Sequence, residues 1–130
     1  MSDALVIIPT YNEKENIENM IKAIFSLKKT FDILVVDDNS PDRTARIVEG
    51  LQSKFSDRLF LEKRKDKTGL GTAYIHGFKW ALAKKYDYII EMDADFSHNP
   101  KDLVRLYNAC HKDGGDVSVG SRYSQGVNVV

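Results

Sequence analysis

Two aspartates two positions apart are the residues in this sequence best suited to bind a metal ion. Asp93 and Asp95 directly follow residues 88–92, whose composition predicts a short buried strand. Mg²⁺ and Mn²⁺ prefer carboxylate oxygens and keep open positions for phosphate oxygens. A pair of solvated turn aspartates is the alternative, since short motifs often arise by chance. The strand that precedes the pair favours the metal site.

A second acidic pair also follows an apolar segment. Asp37 and Asp38 come after residues 33–36, which are apolar throughout, as in a strand buried on both faces. One carboxylate is expected to cap a following helix that begins at Ser40 and Pro41. The other would be free to accept hydrogen bonds from ribose hydroxyls or base N–H groups.

A glycine-rich turn, residues 67–71, precedes a predicted helix. Its backbone can approach a diphosphate, with the ammonium group of Lys67 adding a positive charge. The turn is not a dinucleotide-binding fingerprint, because Tyr74 stands where the third glycine would be and because the turn follows the third predicted strand. An ordinary flexible connection is the alternative.

Short apolar segments alternate with amphipathic ones, which predicts an α/β fold with a mainly parallel sheet flanked by helices. The predicted strands are residues 4–8, 33–36, 58–61, 88–92 and 117–120. An Asn12–Glu15 capping box is expected to open the first helix. The third and fourth helices are predicted over residues 71–84 and 100–112, with Tyr74, Ile75, Phe78 and Leu82 of the third facing inward.

The predicted sheet brings the polar segments together. In a parallel sheet every strand's carboxyl end lies at one edge, and ligands bind in the crevice outside it. The segments that follow the strands are residues 9–13, 37–42, 63–74, 93–95 and 121–122. Five segments that are distant in sequence are therefore expected to converge on one site.

Composition narrows the class of protein. The 130 residues, 42% of them hydrophobic, suit one domain over residues 1–130. Lys plus Arg and Asp plus Glu both number 19, so the balanced charge argues against a nucleic-acid partner. With one cysteine, no basic leader and no apolar run of about 20 residues, the sequence predicts a soluble, intracellular protein.

Five short motifs occur in a characteristic order along the chain. They are PTYNE at 9–13, DDNSPD at 37–42, TGLGTAY at 68–74, MDADFSH at 92–98 and GSRY at 120–123. Together they resemble the dolichyl-phosphate (polyprenyl-phosphate) mannosyltransferases of glycosyltransferase family 2, over nearly the whole chain. The first motif is common to the wider family, whereas the second, third and fourth are more specific to the polyprenyl-phosphate branch.

The resemblance implies a GT-A, Rossmann-like fold, a GDP-mannose donor and a polyprenyl-phosphate acceptor at the cytoplasmic face of a membrane. It implies that Asp93 and Asp95 hold Mg²⁺ or Mn²⁺ and that Arg122 lies near the transferred sugar or the acceptor phosphate, so Asp95 and Arg122 are the expected catalytic residues. The expected donor-binding residues are Pro9, Tyr11, Glu13, Val36, Asp38, Lys67, Gly69 and Ala94.

An acceptor phosphate is already anionic at neutral pH and needs no general base, so positioning and charge neutralisation would be the main demands on the protein. Direct attack on the anomeric carbon would invert its configuration. The sequence ends ten residues after the fifth predicted strand. We therefore expect a sheet cut short at the C-terminus, with weak donor binding, no transfer by this chain alone, and self-association through an unpaired edge and residues 127–130.

Three alternatives remain open at this point. A family 2 enzyme could use another nucleotide sugar, such as UDP-glucose. A non-catalytic nucleotide-sugar-binding module would share the donor motifs. A phosphoacceptor receiver domain would begin with an acidic segment like residues 33–39, but here a strand and a helix precede that segment.

Overall fold

The apolar strands pair into one six-stranded sheet in the computed structural model, which describes residues 3–65, 70–97, 99–113, 117–120 and 127–129. The strands are β1 (Ala4–Thr10), β2 (Asp32–Asp37), β3 (Leu59–Lys63), β4 (Tyr88–Glu91), β5 (Val117–Gly120) and β6 (Val127–Val129). The helices are α1 (Ile17–Phe25), α2 (Thr44–Gln52), α3 (Leu70–Ala83) and α4 (Asp102–Asp113). The strand order is β3-β2-β1-β4-β5-β6, with parallel pairing from β3 to β5. This topology confirms the predicted α/β fold.

The sheet is covered by helices on both faces. Alternate side chains of β1 belong to different hydrophobic clusters, Val6 and Ile8 to one and Leu5 and Ile7 to the other, and all four are fully buried. The first cluster includes residues of α1, α2 and α4, and the second includes residues of α3. Two-sided burial explains why β1 and β2 are continuously apolar in sequence.

Two predicted helix starts are wrong. Helix α1 begins at Ile17, with Asn16 as its N-cap and no side-chain capping bond, so the Asn12–Glu15 capping box does not form. Asn12 instead has a left-handed backbone, with φ of 56°. Helix α2 begins at Thr44 rather than at Ser40, because Arg43 turns the chain with φ of 68° just before it.

Helix α3 presents a different face to the sheet from the one predicted. Ile75 and Leu82, expected to face inward, are 55% and 67% exposed, whereas Ala73 and Ala81 are buried. Tyr74 and Phe78 are partly buried against the second cluster. Large side chains cannot occupy the sheet-facing positions of α3, because the helix lies too close to β1 for them. The pattern of large apolar residues therefore gave the wrong face.

The close approach of α3 to β1 requires glycine at position 77. A β-carbon there would lie 2.7 Å from Cγ2 of Ile7, a buried β-branched residue that cannot turn aside. We expect Gly77→Ala to lower the free energy of unfolding by about 1–3 kcal/mol, as overpacking of cores does. Gly50→Ala is the matched control, because a β-carbon at this exposed position of α2 meets nothing within 4 Å.

Urea unfolding curves of both glycine variants test this packing. Gly50→Ala should raise the free energy of unfolding by about 0.5–1 kcal/mol, since alanine restricts the unfolded chain more than glycine does. If both variants were stabilised alike, the close contact between α3 and β1 would not exist.

Strand β6 was not predicted from the sequence. It pairs antiparallel with β5, with Val119 opposite Asn128 and Gly120 opposite Val127. Residues 127–129, which we expected to take part in self-association, therefore extend the sheet. None of the described helices is long and apolar enough to cross a lipid bilayer.

Candidate functional site

The polar loops that follow β1 and β2 are joined by hydrogen bonds at the carboxyl edge of the sheet. Backbone N–H groups of the first loop, residues 11–16, donate to side chains after β2. The bonds run from Asn12 to Ser40 Oγ (2.9 Å), from Glu13 to Thr44 Oγ1 (3.0 Å) and from Lys14 to Asp42 Oδ2 (3.1 Å). These bonds explain why residues 12 and 40 do not begin helices. They also fix the shape of this edge before any ligand binds.

Asp37 anchors the loop that follows β2. Its buried carboxylate accepts hydrogen bonds from the Thr10 hydroxyl (2.7 Å), the Ser40 hydroxyl (2.6 Å) and the Ser40 N–H (3.0 Å). One of the two aspartates was expected to cap a helix beginning at Ser40, and this expectation is wrong, since α2 begins at Thr44 without a side-chain cap. Asp37 orders a loop rather than the first turn of a helix.

The carboxylate of Asp38 is not free, contrary to the expectation. It is 5% exposed and forms a bidentate ion pair with Arg64, whose Nη2 lies 3.0 Å from Asp38 Oδ2. Arg64 follows β3 directly, and its N–H donates to the carbonyl of Asp37 at 2.8 Å. Its Nη2 also donates to the hydroxyl of Thr72 at 2.9 Å. From the sequence, Arg64 was expected only as part of the segment 63–74 that follows the third strand, and no partner was predicted for it.

Three predicted donor-binding residues lie within the packed edge. Pro9 and Val36 are register partners on β1 and β2, and both are buried. Ala94 is 2% exposed, and Tyr11, at 36%, presents more surface. These positions form the base of the edge, while Tyr11 projects from its rim.

Asp93 and Asp95 are held in different ways. Asp93 is half-buried, and its Oδ1 accepts a hydrogen bond from the hydroxyl of Tyr74 at 2.9 Å. Asp95 is exposed, and its Oδ1 accepts the N–H of Ser97 at 2.9 Å. Burial and the charge of Asp93 raise the pKa of Tyr74 far above its ordinary value, so this hydroxyl stays protonated and donates.

Negative charge from this pair also raises the pKa of two further carboxyl groups. Burial raises the pKa of Glu13, and the negative charges of Asp95, Asp42 and Asp93 add to the effect. Burial, followed by the charge of Asp93, raises the pKa of Glu91 to about 7. The edge that was predicted from five separate segments is therefore strongly acidic where β1 and β4 end.

The acidic edge fits a divalent cation that completes its coordination with ligand oxygens. Within the described ranges, no three acidic, histidine or cysteine side chains are gathered as a ready-made metal cage. Two aspartates suffice for Mg²⁺ or Mn²⁺, because such ions are commonly held by one or two carboxylates together with waters and substrate phosphates. Glu91 Oε1 is buried without a hydrogen-bond partner among the described residues, so no protein donor stabilises the ionised form of this carboxyl group.

Three of the predicted site residues cannot be placed. Lys67, Gly69 and Arg122 lie outside the described residues. Helix α3, which follows the glycine-rich turn, is described from Leu70 onward. The described part of the predicted site therefore consists of the nucleoside-side residues and the acidic pair.

Sequence comparisons show the family of this chain. Glycosyl transferase family 2 matches residues 5–130. A polyprenol monophosphomannose synthase from Mycolicibacterium smegmatis is 45% identical over 125 residues, which are 96% of this chain and 47% of that protein. A dolichol-phosphate mannosyltransferase from Pyrococcus furiosus is 41% identical over 126 residues, 95% of this chain and 34% of that protein. The chain thus spans less than half the length of these two relatives.

Solved structures share the fold. A mannosyltransferase from Pyrobaculum calidifontis in complex with GDP-Man and Mn²⁺ superposes with a TM-score of 0.69 at 25% identity, over 78% of this chain and 30% of that one. TarS from S. aureus, residues 1–349, gives a TM-score of 0.72 at 25% identity, over 89% of this chain and 34% of that one. The GT-A fold implied by the motifs is confirmed, and the chain belongs to glycosyltransferase family 2.

Proposed function

We propose that this chain forms the donor-binding part of an inverting glycosyltransferase that moves mannose from GDP-mannose to a polyprenyl phosphate. The observation that carries the proposal is the acidic edge, where Asp93 and Asp95 leave β4 beside Glu13. The relatives named as polyprenol- and dolichol-phosphate enzymes support this choice of sugar and acceptor. The UDP-sugar alternative is the competitor to be tested.

On the donor side, Asp38 would receive the base or ribose. A carboxylate has about four acceptor positions, so the two used by Arg64 leave room for N–H or hydroxyl donors of a nucleoside. Tyr11 and Glu13 would stand beside it at the rim, above Pro9 and Val36. Lys67, Gly69 and Ala94 are proposed to lie along the diphosphate.

On the phosphate side, Asp93 and Asp95 would hold Mg²⁺ or Mn²⁺. The bound cation would stabilise the negative charge that develops on the GDP leaving group. The fixed carboxylates of the protein would orient the donor so that its anomeric carbon is open to the acceptor, and Arg122 is proposed to neutralise the acceptor phosphate or to contact the sugar. Because that phosphate is already anionic, no residue has to remove a proton.

The setting of the reaction is also part of the proposal. A polyprenyl-phosphate acceptor resides in a lipid bilayer, so the protein would work at its surface, on the cytoplasmic side where a nucleotide-sugar donor is present. Self-association at high concentration stays a prediction and can be checked by sedimentation.

Nucleotide selectivity is the first test of this function. We expect this chain to bind GDP and GDP-mannose at least about tenfold more tightly than UDP or ADP in the presence of Mn²⁺, a difference of about 1.4 kcal/mol. The reason is that the buried carboxylate of Asp38 would accept hydrogen bonds from the ring N–H donors of guanine. Titration calorimetry with the four nucleotides measures the difference.

Asp38→Asn provides the matched variant for this test. It keeps the side-chain shape but removes the charge, so the preference for GDP should narrow, while Asp87→Asn at the opposite end of β4 should leave it unchanged. Equal or tighter binding of UDP by the unmodified chain would overturn the assignment of GDP-mannose.

A further inference from the structure

Tyr74 connects helix α3 to the acidic pair. It lies on α3, which covers the β-sheet face of Leu5 and Ile7, yet its hydroxyl reaches the end of β4 and donates to Asp93 Oδ1 at 2.9 Å. The sequence pattern indicated only an inward-facing apolar position for this residue. A phenol that extends from the packed face of a helix to a strand-end carboxylate serves more than packing.

The hydrogen bond leaves one side of the Asp93 carboxylate available. Among the described residues, Asp93 accepts its hydrogen bond at Oδ1, so Oδ2 can face a cation. The charges of Asp93, Glu91 and Asp95 all act on the Tyr74 hydroxyl, so this donor lies where the carboxylates of the edge are concentrated. Removal of the phenol oxygen would take away the hydrogen bond that holds Oδ1 of Asp93 in place.

We propose that Tyr74 is a positioning residue that orients Asp93 for binding a divalent cation together with the donor diphosphate. The inference rests on the proposed metal site of Asp93 and Asp95. Partners that hold metal ligands in place commonly change metal affinity by about 10–100-fold when they are removed. Asp95 accepts a hydrogen bond from the backbone N–H of Ser97. A backbone donor cannot be removed by replacing a side chain, so this bond offers no comparable test.

The fold contains a matched control for the same chemical group. Tyr86 donates its hydroxyl to Asp32 Oδ2 at 2.6 Å, and this bond is buried at the opposite edge of the sheet, where β2 begins. Y86F and Y74F each remove one phenol oxygen from a bond to an aspartate. A general effect of losing such a bond would appear in both variants, whereas an effect on the metal would appear in one.

The experiment measures Mn²⁺ binding by the electron paramagnetic resonance signal of the free ion, with and without GDP. We expect Y74F to weaken Mn²⁺ binding by about 10–100-fold and to leave GDP binding in EDTA unchanged. Y86F should lower the melting temperature and keep its Mn²⁺ affinity within about twofold. As a second measurement, the rise in melting temperature caused by Mn²⁺ plus GDP is compared with each variant's own metal-free value, so that lost stability does not imitate lost binding.

The outcomes separate this inference from the proposed function. If Y74F bound Mn²⁺ as tightly as the unmodified chain while D95A did not, Tyr74 would have no positioning role. The same conclusion would follow if Y74F failed to fold while Y86F folded, because Tyr74 would then be structural. If the unmodified chain and D95A showed the same Mn²⁺ response, the metal site itself would be wrong.

Discussion

Replacement of Asp95 by alanine should abolish the effect of Mn²⁺ or Mg²⁺ on GDP binding while the protein stays folded. Asp95 is exposed at the end of β4, so its removal exposes no core residue and should change stability by less than about 1 kcal/mol. Its carboxylate is one of only two proposed protein ligands. With a single protein ligand left on Asp93, a hard cation should bind this edge much more weakly than with two carboxylates.

The measurement is calorimetry of GDP binding with and without each metal, supported by circular dichroism of the variant. Asp87→Ala is the matched control, because this exposed aspartate precedes the same strand at the opposite edge of the sheet. Asp95→Asn should behave like the alanine variant, since an amide oxygen is a weaker ligand without charge. A normal metal response in D95A would place the cation elsewhere.

Much of this site follows from sequence because parallel strands force their carboxyl ends together. The apolar segments before Asp37 and Asp93 sufficed to place both acidic pairs on one edge, and Asp93 and Asp95 lie close enough to Glu13 for their charges to help raise its pKa. Strand pairing over five parallel strands was predicted for the same reason. These conclusions need only strand order and direction, not side-chain detail.

The sequence did not predict which side chains pair with one another across the loops. The pairing of Asp38 with Arg64 joins positions 26 residues apart, and it depends on β3 lying beside β2 in register, with Lys63 opposite Asp37. The predicted start at Ser40 failed because its hydroxyl oxygen accepts the N–H of Asn12 instead of an N–H of a helix, while its hydroxyl proton is donated to Asp37. Local propensity was overridden in both cases by contacts that only the folded sheet creates.

The face of α3 illustrates a different limit. Large apolar residues normally mark the buried side of a helix, but here small residues at positions 73, 77 and 81 lie against the sheet. The reason is distance: a helix that packs closely on β1 has no space for Ile75 or Leu82, which remain exposed. Close packing then lets Tyr74 reach Asp93, so the unexpected face and the unexpected contact have one cause.

The negative charge at this edge should destabilise the folded protein. The pH dependence of the free energy of unfolding should show this effect. Burial, and then the charge of Asp93, raise the pKa of Glu91 from 4.5 to about 7, and its Oε1 has no hydrogen-bond partner among the described residues. In the unfolded chain Glu91 ionises near its ordinary pKa. The folded state therefore binds a proton that the unfolded state has released, and folding is progressively penalised as pH rises from about 4.5 to 7.

We therefore expect the free energy of unfolding in EDTA to fall between pH 5 and 8 by an amount to which Glu91 contributes about 3 kcal/mol, at about 1.4 kcal/mol for each unit of pKa shift. Glu91→Gln should remove this contribution and flatten the pH dependence. Any constant cost of the buried amide cancels, because the comparison is between slopes rather than between absolute stabilities. Asp87→Asn, which removes an exposed carboxylate at the opposite edge, serves as the control.

Urea unfolding at five pH values gives the slope for each variant. The slope of Asp87→Asn should match that of the unmodified chain, since Asp87 is exposed and lies at the opposite edge of the sheet from Glu91 and Asp93. Addition of Mn²⁺ and GDP should recover part of the lost stability at pH 8, because a cation on Asp93 and Asp95 offsets the repulsion that Asp93 exerts on ionised Glu91. If the slopes of Glu91→Gln and the unmodified chain were the same, Glu91 would already be ionised in the folded protein, and the acidic edge would be compensated by some other group.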